Sequence, residues 1–277
     1  KHKILALLLC FGLGVRVVAG EPMPLFDAHL HYNQEPTPRV TTGEALRLFE
    51  AAGVRGILAN SRPNTGTHAL YAARSDKLQV VPFLRPYRVR ADVQTWFNDP
   101  QTMTLIEEES QRHGYFVGIG EFHLHGEEAR SPVVAQMLRF ARKRKLMLHA
   151  HSDVDCIERL LKQWPEARVL WAHSGFDRPE KVREVLRRHP RLWCDLAFRG
   201  DHATGSEVDP GWREAFTEFP DRFMIGTDTF TPERWHYITG HASYSRGWLA
   251  SLPAPVAEAI GWRNGVALVQ AVRGTKA

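Results

Sequence analysis

The sequence predicts an α/β protein folded as a single (β/α)8 TIM barrel. Three observations predict it: eight short apolar runs recur along the chain, longer amphipathic runs separate them, and no glycine- or serine-rich linker interrupts the series. The chain has 277 residues, and one such barrel typically takes about 250. Its 43% hydrophobic and 24% charged residues are those of an ordinary globular protein, which excludes a disordered, collagen-like or coiled-coil chain.

Residues 1–20 stand apart from this pattern. Lys1 and Lys3 precede an apolar run over 4–15, Arg16 follows it, and Val17, Val18, Ala19 and Gly20 offer small residues for cleavage. That is the order of a secretory signal peptide. The expectation is therefore a leader at 1–20, a barrel at 21–277, and a secreted or periplasmic protein. An uncleaved membrane anchor is the alternative, but the run is shorter than the roughly 20 residues a spanning helix needs. No second run of that length follows, so no stable membrane span is expected after cleavage. Lys1, Lys3 and Arg16 carry three of the five net positive charges, which leaves +2 for the rest. A balance that modest speaks against nucleic acid as a partner.

The strands are expected at 25–31, 54–60, 80–84, 117–122, 146–149, 169–173, 192–197 and 223–227, with helices such as 43–52, 132–144, 154–164 and 180–189 between them. Thr41 with Glu44 fits a capping box. Ser131-Pro132, Asp209-Pro210 and Thr231-Pro232 each set a capping side chain before a proline suited to the first helical position. An open, doubly wound sheet is the alternative architecture. It calls for a glycine-rich phosphate loop after the first strand, where this chain has histidines instead. Beyond the leader only Cys156 and Cys194 remain. A disulfide between them is one reading, and two buried thiols the preferred one.

In such a barrel the chemistry sits where strands end. His29 and His31 end the first strand, Glu121 the fourth, His149 (with His151 beyond it) the fifth and His173 the sixth, and Asp228 follows the eighth. Strand alternation puts Asp27, His29 and His31 on one inward face, and Phe26, Ala28 and Leu30 on the other. Asp27 is then expected to support the two imidazoles as an acceptor behind them. One histidine pair is a weak signal. So many titratable groups at one barrel mouth are costly to bury unless a cation pairs them.

The order His-x-His, Glu, His, His, Asp resembles the amidohydrolase superfamily of metal-dependent barrel hydrolases. Phe26-Asp27-Ala28-His29-Leu30-His31 is similar to its first-strand motif. Gly118-Ile119-Gly120-Glu121 is similar to the fourth-strand motif of the TatD-like, deoxyribonuclease-like branch. Leu148-His149, Trp171-Ala172-His173 and Gly226-Thr227-Asp228 match the strand five, six and eight positions. The stretch from Leu252 through Ile260 to Asn264 resembles the closing helix of the amidohydrolase-related branch.

The resemblance implies a divalent-metal cofactor, one or two ions, with zinc favoured and manganese, iron or nickel as alternatives. His29, His31, Glu121 and Asp228 would hold a first ion, and Glu121, His149 and His173 a second. His149 is preferred to His151 because the apolar run ends at it. Asp228 is the expected general base, and His173 polarises the substrate carbonyl if only one ion binds. The expected reaction is hydrolysis of an ester, lactone or amide in a small anionic substrate, gripped by Arg62, Arg85 and Arg199 after strands two, three and seven. Trp235, His236 and Tyr237 are candidate pocket walls. His123 and His125 read as a polar loop, and His68, His113, His189 and His202 as solvated. A nuclease-like phosphoesterase and a non-catalytic metal- or ligand-binding barrel are the alternative functions, and a few relatives decarboxylate. The sequence specifies no oligomeric state.

Overall fold

Each apolar run becomes a strand, and each strand pairs in parallel with the next. The computed structural model describes residues 22–34 and 40–273, so the expected leader at 1–20 lies outside the described residues. β1 (Leu25–His31), β2 (Val54–Asn60), β3 (Gln79–Leu84), β4 (Gly118–His123), β5 (Met147–His151), β6 (Val169–Trp171) and β7 (Leu192–Asp195) follow one another around one sheet. A small antiparallel hairpin, β8 (Ala203–Thr204) with β9 (Glu207–Val208), stands apart. The eighth barrel strand is β10 (Phe223–Met224), beside β7. The ring is closed by backbone bonds: Ala28 N–H donates to Ile225 O (2.9 Å) and Asp228 N–H to His29 O (2.7 Å). The chain is thus a single (β/α)8 TIM barrel.

Eight helices alternate with the strands: α1 (Thr42–Ala52), α2 (Thr65–Ala72), α3 (Gln101–Arg112), α4 (Pro132–Arg144), α5 (Val154–Gln163), α6 (Pro179–Arg188), α7 (Pro210–Glu218) and α8 (Ile238–Leu249). A further turn of helix, α9 (Ala254–Glu258), leads through a π-turn into α10 (Asn264–Arg273). None of the described helices is long and apolar enough to cross a membrane. The Thr41–Glu44 capping box forms, and Ser131 and Asp209 cap α4 and α7. Thr231 differs. It makes no side-chain cap, and Pro232 opens a 3-10 turn, Pro232–Tyr237, ahead of α8. Cys156 and Cys194 are both free and buried.

Two apolar layers hold the barrel. The outer layer lies between strands and helices and includes Leu30, Ile57, Ile119, Leu148, Trp171 and Cys194. The inner layer fills the floor with Phe26, Ala28, Leu58, Val81, Phe83, Val117, Met147, Leu170 and Met224, joined by Leu268 and Val269 from α10. Gly56 and Gly118 leave room there for the rings of Phe26 and Phe83, which a Cβ would strike.

Strict alternation along β1 fails, and with it the expected face of Asp27. Four residues on β1 (Asp27 to Leu30) answer three on β2 (Ile57 to Ala59). One extra residue in a strand reverses which face follows. Phe26 and Ala28 therefore point into the floor, whereas His29 and His31 point into the mouth above them. Asp27 points to the seam instead. It accepts from Thr227 N–H (3.0 Å), the Thr227 hydroxyl and His29 N–H (3.1 Å), and touches neither imidazole. Burial raises its pKa to about 6 against those hydrogen bonds. β4 has a similar shift, Gly120 opposite His149 and Phe122 opposite Ala150, and Glu121 between them turns inward.

Candidate metal centre and active site

Five of the expected residues converge at the mouth. His29 Nε2 lies 3.2 Å from His31 Nε2, 3.4 Å from Glu121 Oε1 and 3.7 Å from Asp228 Oδ1. His31 Nε2 lies 3.2 Å from both Glu121 Oε2 and Asp228 Oδ1, and His173 Nε2 is 3.8 Å from Glu121 Oε1. Ligands about 2.0–2.1 Å from one tetrahedral ion stand roughly 3.3 Å apart, so these spacings are those of a ligand shell.

The far side of each imidazole explains its orientation. His29 Nδ1–H donates to Asp195 Oδ2 (3.1 Å), His31 Nδ1–H to Asn60 Oδ1 (2.5 Å) and His173 Nδ1–H to Ala197 O (2.7 Å). With Nδ1 occupied as a donor, each ring presents Nε2 to the centre, the arrangement metal-ligating histidines use.

The charges ask for a cation at the same place. Glu121, Asp195 and Asp228 are all buried here. Burial alone would lower the pKa of His29, but Asp195, Glu121 and Asp228 outweigh it and hold it well above the usual range. Burial likewise opposes ionisation of Asp228, and His29 and His31 overcome it, holding the carboxyl at about 2. Without an ion a protonated imidazole carries the balancing charge, and a divalent ion fits that role and the donor set.

Two of these residues sit on backbone that ordinary side chains avoid. His173 (φ 55°) and Asp228 (φ 50°) are left-handed, as are Ser174, Phe176 and Phe198 around the mouth. Such conformations cost on the order of 1–3 kcal/mol each and persist only where neighbours enforce them. Asp195 Oδ1 accepts from His173 N–H (2.9 Å), Ser174 Oγ–H donates to Asp195 O (2.9 Å), and Arg234 donates to the carbonyls of Thr227 and Asp228.

The other expected residues fall elsewhere. His149 is not brought to Glu121. Its Nε2–H donates to Asp195 Oδ2 (3.1 Å), and burial lowers its pKa to about 4. His151, one strand period further, has Nδ1 3.0 Å from Glu121 Oε1 and stands in the cavity. His123 is there too, stacked on His151 with ring centroids 4.2 Å apart, while His125 is exposed beyond it. Arg62 and Arg85 line the cavity. Arg85, however, is engaged inside the protein, donating to Glu121 Oε2 (2.8 Å) and Glu121 O (3.2 Å). Arg199 lies off the cavity. It donates to His173 O and Asp177 O (2.8 Å each), pairs with Asp201 and stacks on Trp212. It holds the His173 loop. Trp235 packs on Tyr32 and Phe49, and Phe176, Phe198 and Phe230 form the cavity wall instead. His202 is buried and so is not solvated as expected, whereas His189 is partly exposed and paired with Glu158.

Sequence reasoning missed Asp195 and Asn60. Asp195 ends β7, fully buried, and two imidazoles share one of its oxygens. The strand expected over 192–197 leaves Asp195 inside it, whereas β7 ends at this acid, which follows Leu192-Trp193-Cys194. Asn60 closes β2 in the same way. The cavity lined by His31, Glu121, His151, His173 and Asp228 holds about 550 Å³, a size suited to a small molecule.

Comparison with known proteins places this architecture. The family model described as amidohydrolase matches residues 84–270. No curated protein matches the chain in sequence. Among solved structures, an uncharacterised TIM-barrel protein from Bordetella bronchiseptica superposes with a TM-score of 0.60 at 13% identity, over 84% of each chain. A dihydroxybenzoic acid decarboxylase from Polaromonas, solved with manganese and 2-nitroresorcinol, gives 0.60 at 11% identity, over 89% of this chain and 97% of its own. An amidohydrolase from Burkholderia multivorans, solved with zinc, gives 0.56 at 14% identity, over 89% of this chain and 99% of its own. At these identities the likeness is one of fold.

Proposed function

We propose, from the premise that this chain belongs to the amidohydrolase family, that it is a metal-dependent hydrolase of an ester, lactone or amide bond in a small anionic substrate. One observation carries the reading: three imidazoles, each with Nδ1 donated outward, aim Nε2 at the carboxylates of Glu121 and Asp228. His29, His31 and Asp228 would hold the ion with Glu121 and His173 beside them, and zinc or manganese suits that set. Glu121 also belongs to an adjoining group with His123 and His151, where a second ion would be held. The ion supplies Lewis acidity toward a carbonyl and toward water.

The chain's own groups do the rest. Asp228 is ionised and at the cavity floor, so it accepts a proton at Oδ1 or Oδ2 and passes it to the leaving group. Burial lowers the pKa of His173, so its imidazole is neutral and directs Nε2 to the reacting carbonyl. Arg62 lines one side of the cavity and grips an anionic group, with Arg90 near it. Phe176, Phe198 and Phe230 face the apolar body of the substrate and exclude water. Arg85 acts through Glu121, and Arg199 through the His173 loop.

A screen of carboxylate-bearing esters, lactones and amides against metal-replete protein tests this. Hydrolysis that stops on chelation and in Asp228→Asn is expected, and full activity in metal-free protein would overturn it. The aromatic wall beside an arginine also suits decarboxylation of an aromatic acid, the reaction named for the Polaromonas protein. Labelled water separates the two. Hydrolysis places its oxygen in the product, whereas decarboxylation releases carbon dioxide.

A further inference from the structure

A second group of ligand-type side chains lies away from the mouth, among the helices. His68 stands in α2, Glu109 in the last turn of α3, and His113 one turn on, at the C-terminal cap of α3. Positions four apart on a helix share a face, so Glu109 and His113 both meet His68. Donor atoms of the three lie within 4.8 Å of one another. His68 Nε2 is 2.9 Å from Glu109 Oε2, and the His68 and His113 rings stand 4.0 Å apart. All three are partly buried yet open to solvent.

We propose that His68, Glu109 and His113 form a second metal site, which takes a divalent transition ion of the zinc class in a structural role. Two imidazoles and a carboxylate are a donor set that zinc accepts, with a fourth position left for water. The group behind the ligands is also in place. The Tyr115 hydroxyl meets His68 Nδ1 at 2.5 Å, which fixes the ring and turns Nε2 to Glu109. Arg112 approaches the other Glu109 oxygen, Oε1, at 3.6 Å and leaves Oε2 to the histidines. The ion ties α2 to the end of α3, beside the stacked rings of Tyr71 and Tyr115, 4.1 Å apart.

Zinc titration of the full chain, read by native mass spectrometry and thermal melting, tests the site. Wild type is expected to bind one more zinc per chain than His113→Ala, and affinity at that additional site should fall at least about tenfold in the variant. Zinc should raise the melting temperature of wild type more than that of the variant. Turnover, and the ions lost in His31→Ala, should be the same in wild type and His113→Ala. Glu109→Gln should reproduce the loss, and serves if His113→Ala does not fold. Equal zinc counts in wild type and both variants would overturn the proposal. So would uptake that appears only at millimolar zinc.

Discussion

The two ends of the barrel interior differ more than their sequences do. Phe26 and Ala28 lie on the floor and His29 and His31 in the mouth, within six residues of one strand. The floor is apolar and closed by α10, and its Phe26 and Phe83 rings fill space left by Gly56 and Gly118. The mouth gathers Glu121, Asp195, Asp228 and six imidazoles at the other end of the same strands. The floor lowers the free energy of the fold through buried area. The mouth raises it, because charges are held without full compensation until a cation is bound. Stability and chemistry are thus divided along the barrel axis.

Substitutions can break that division or sharpen it. The largest effect is expected of Asp228→Asn, which should lower kcat by about 10²–10⁴-fold if Asp228 is the base, with the melting temperature retained. Steady-state kinetics beside a melting curve would show it, and unchanged kcat would remove Asp228 from that role. Phe83→Ala is the opposite case. Phe83 is fully buried, and its loss should cost about 3–5 kcal/mol in urea unfolding while the folded fraction still binds metal. If activity per folded molecule fell as well, the two ends would not be separable.

A smaller effect is expected of Asp195→Asn, which keeps the shape but removes the charge shared by His29 and His149. Metal affinity should fall about 10–100-fold, as measured by competition with a chelator, and unchanged affinity would show that His29 needs no such partner. The smallest effect concerns His202, which is outside both ends, against Trp248. Burial lowers its pKa to about 4, against about 6.5 in the unfolded chain. The unfolded state then binds the proton first, so stability falls as pH drops from about 6.5 toward 4. The loss should be on the order of 1–2 kcal/mol at pH 5. His202→Leu should flatten that part of the curve, and an identical slope in the variant would assign it to other groups.

Much of the site was legible because each residue stands at the end of an apolar run. His29, His31, Glu121, His173 and Asp228 could be found that way, and the structure brings all five together. Asn60 carried the same signal but belongs to a residue type that closes strands and opens turns in any protein, so only its contacts distinguish it. Asp195 falls inside the run expected over 192–197, and only the structure ends β7 at it. Arg85 and Arg199 illustrate the converse. Their positions after strands suggested substrate contacts, but an arginine's partner is set by whichever carboxylate or carbonyl lies within reach, and here those are Glu121, Asp201 and the His173 carbonyl.

By itself the sequence determined the number and order of the barrel strands, the helix caps at Thr41, Ser131 and Asp209, and the residue types at the mouth. These depend on periodicity and on interactions within a few residues. Only the tertiary structure decided which way those residues face. A single extra residue in β1 turns Asp27 to the seam and His29 inward, and its presence shows only in the register against β2. It also decided that His151 rather than His149 reaches Glu121, because facing depends on the neighbouring strand and no local pattern records it.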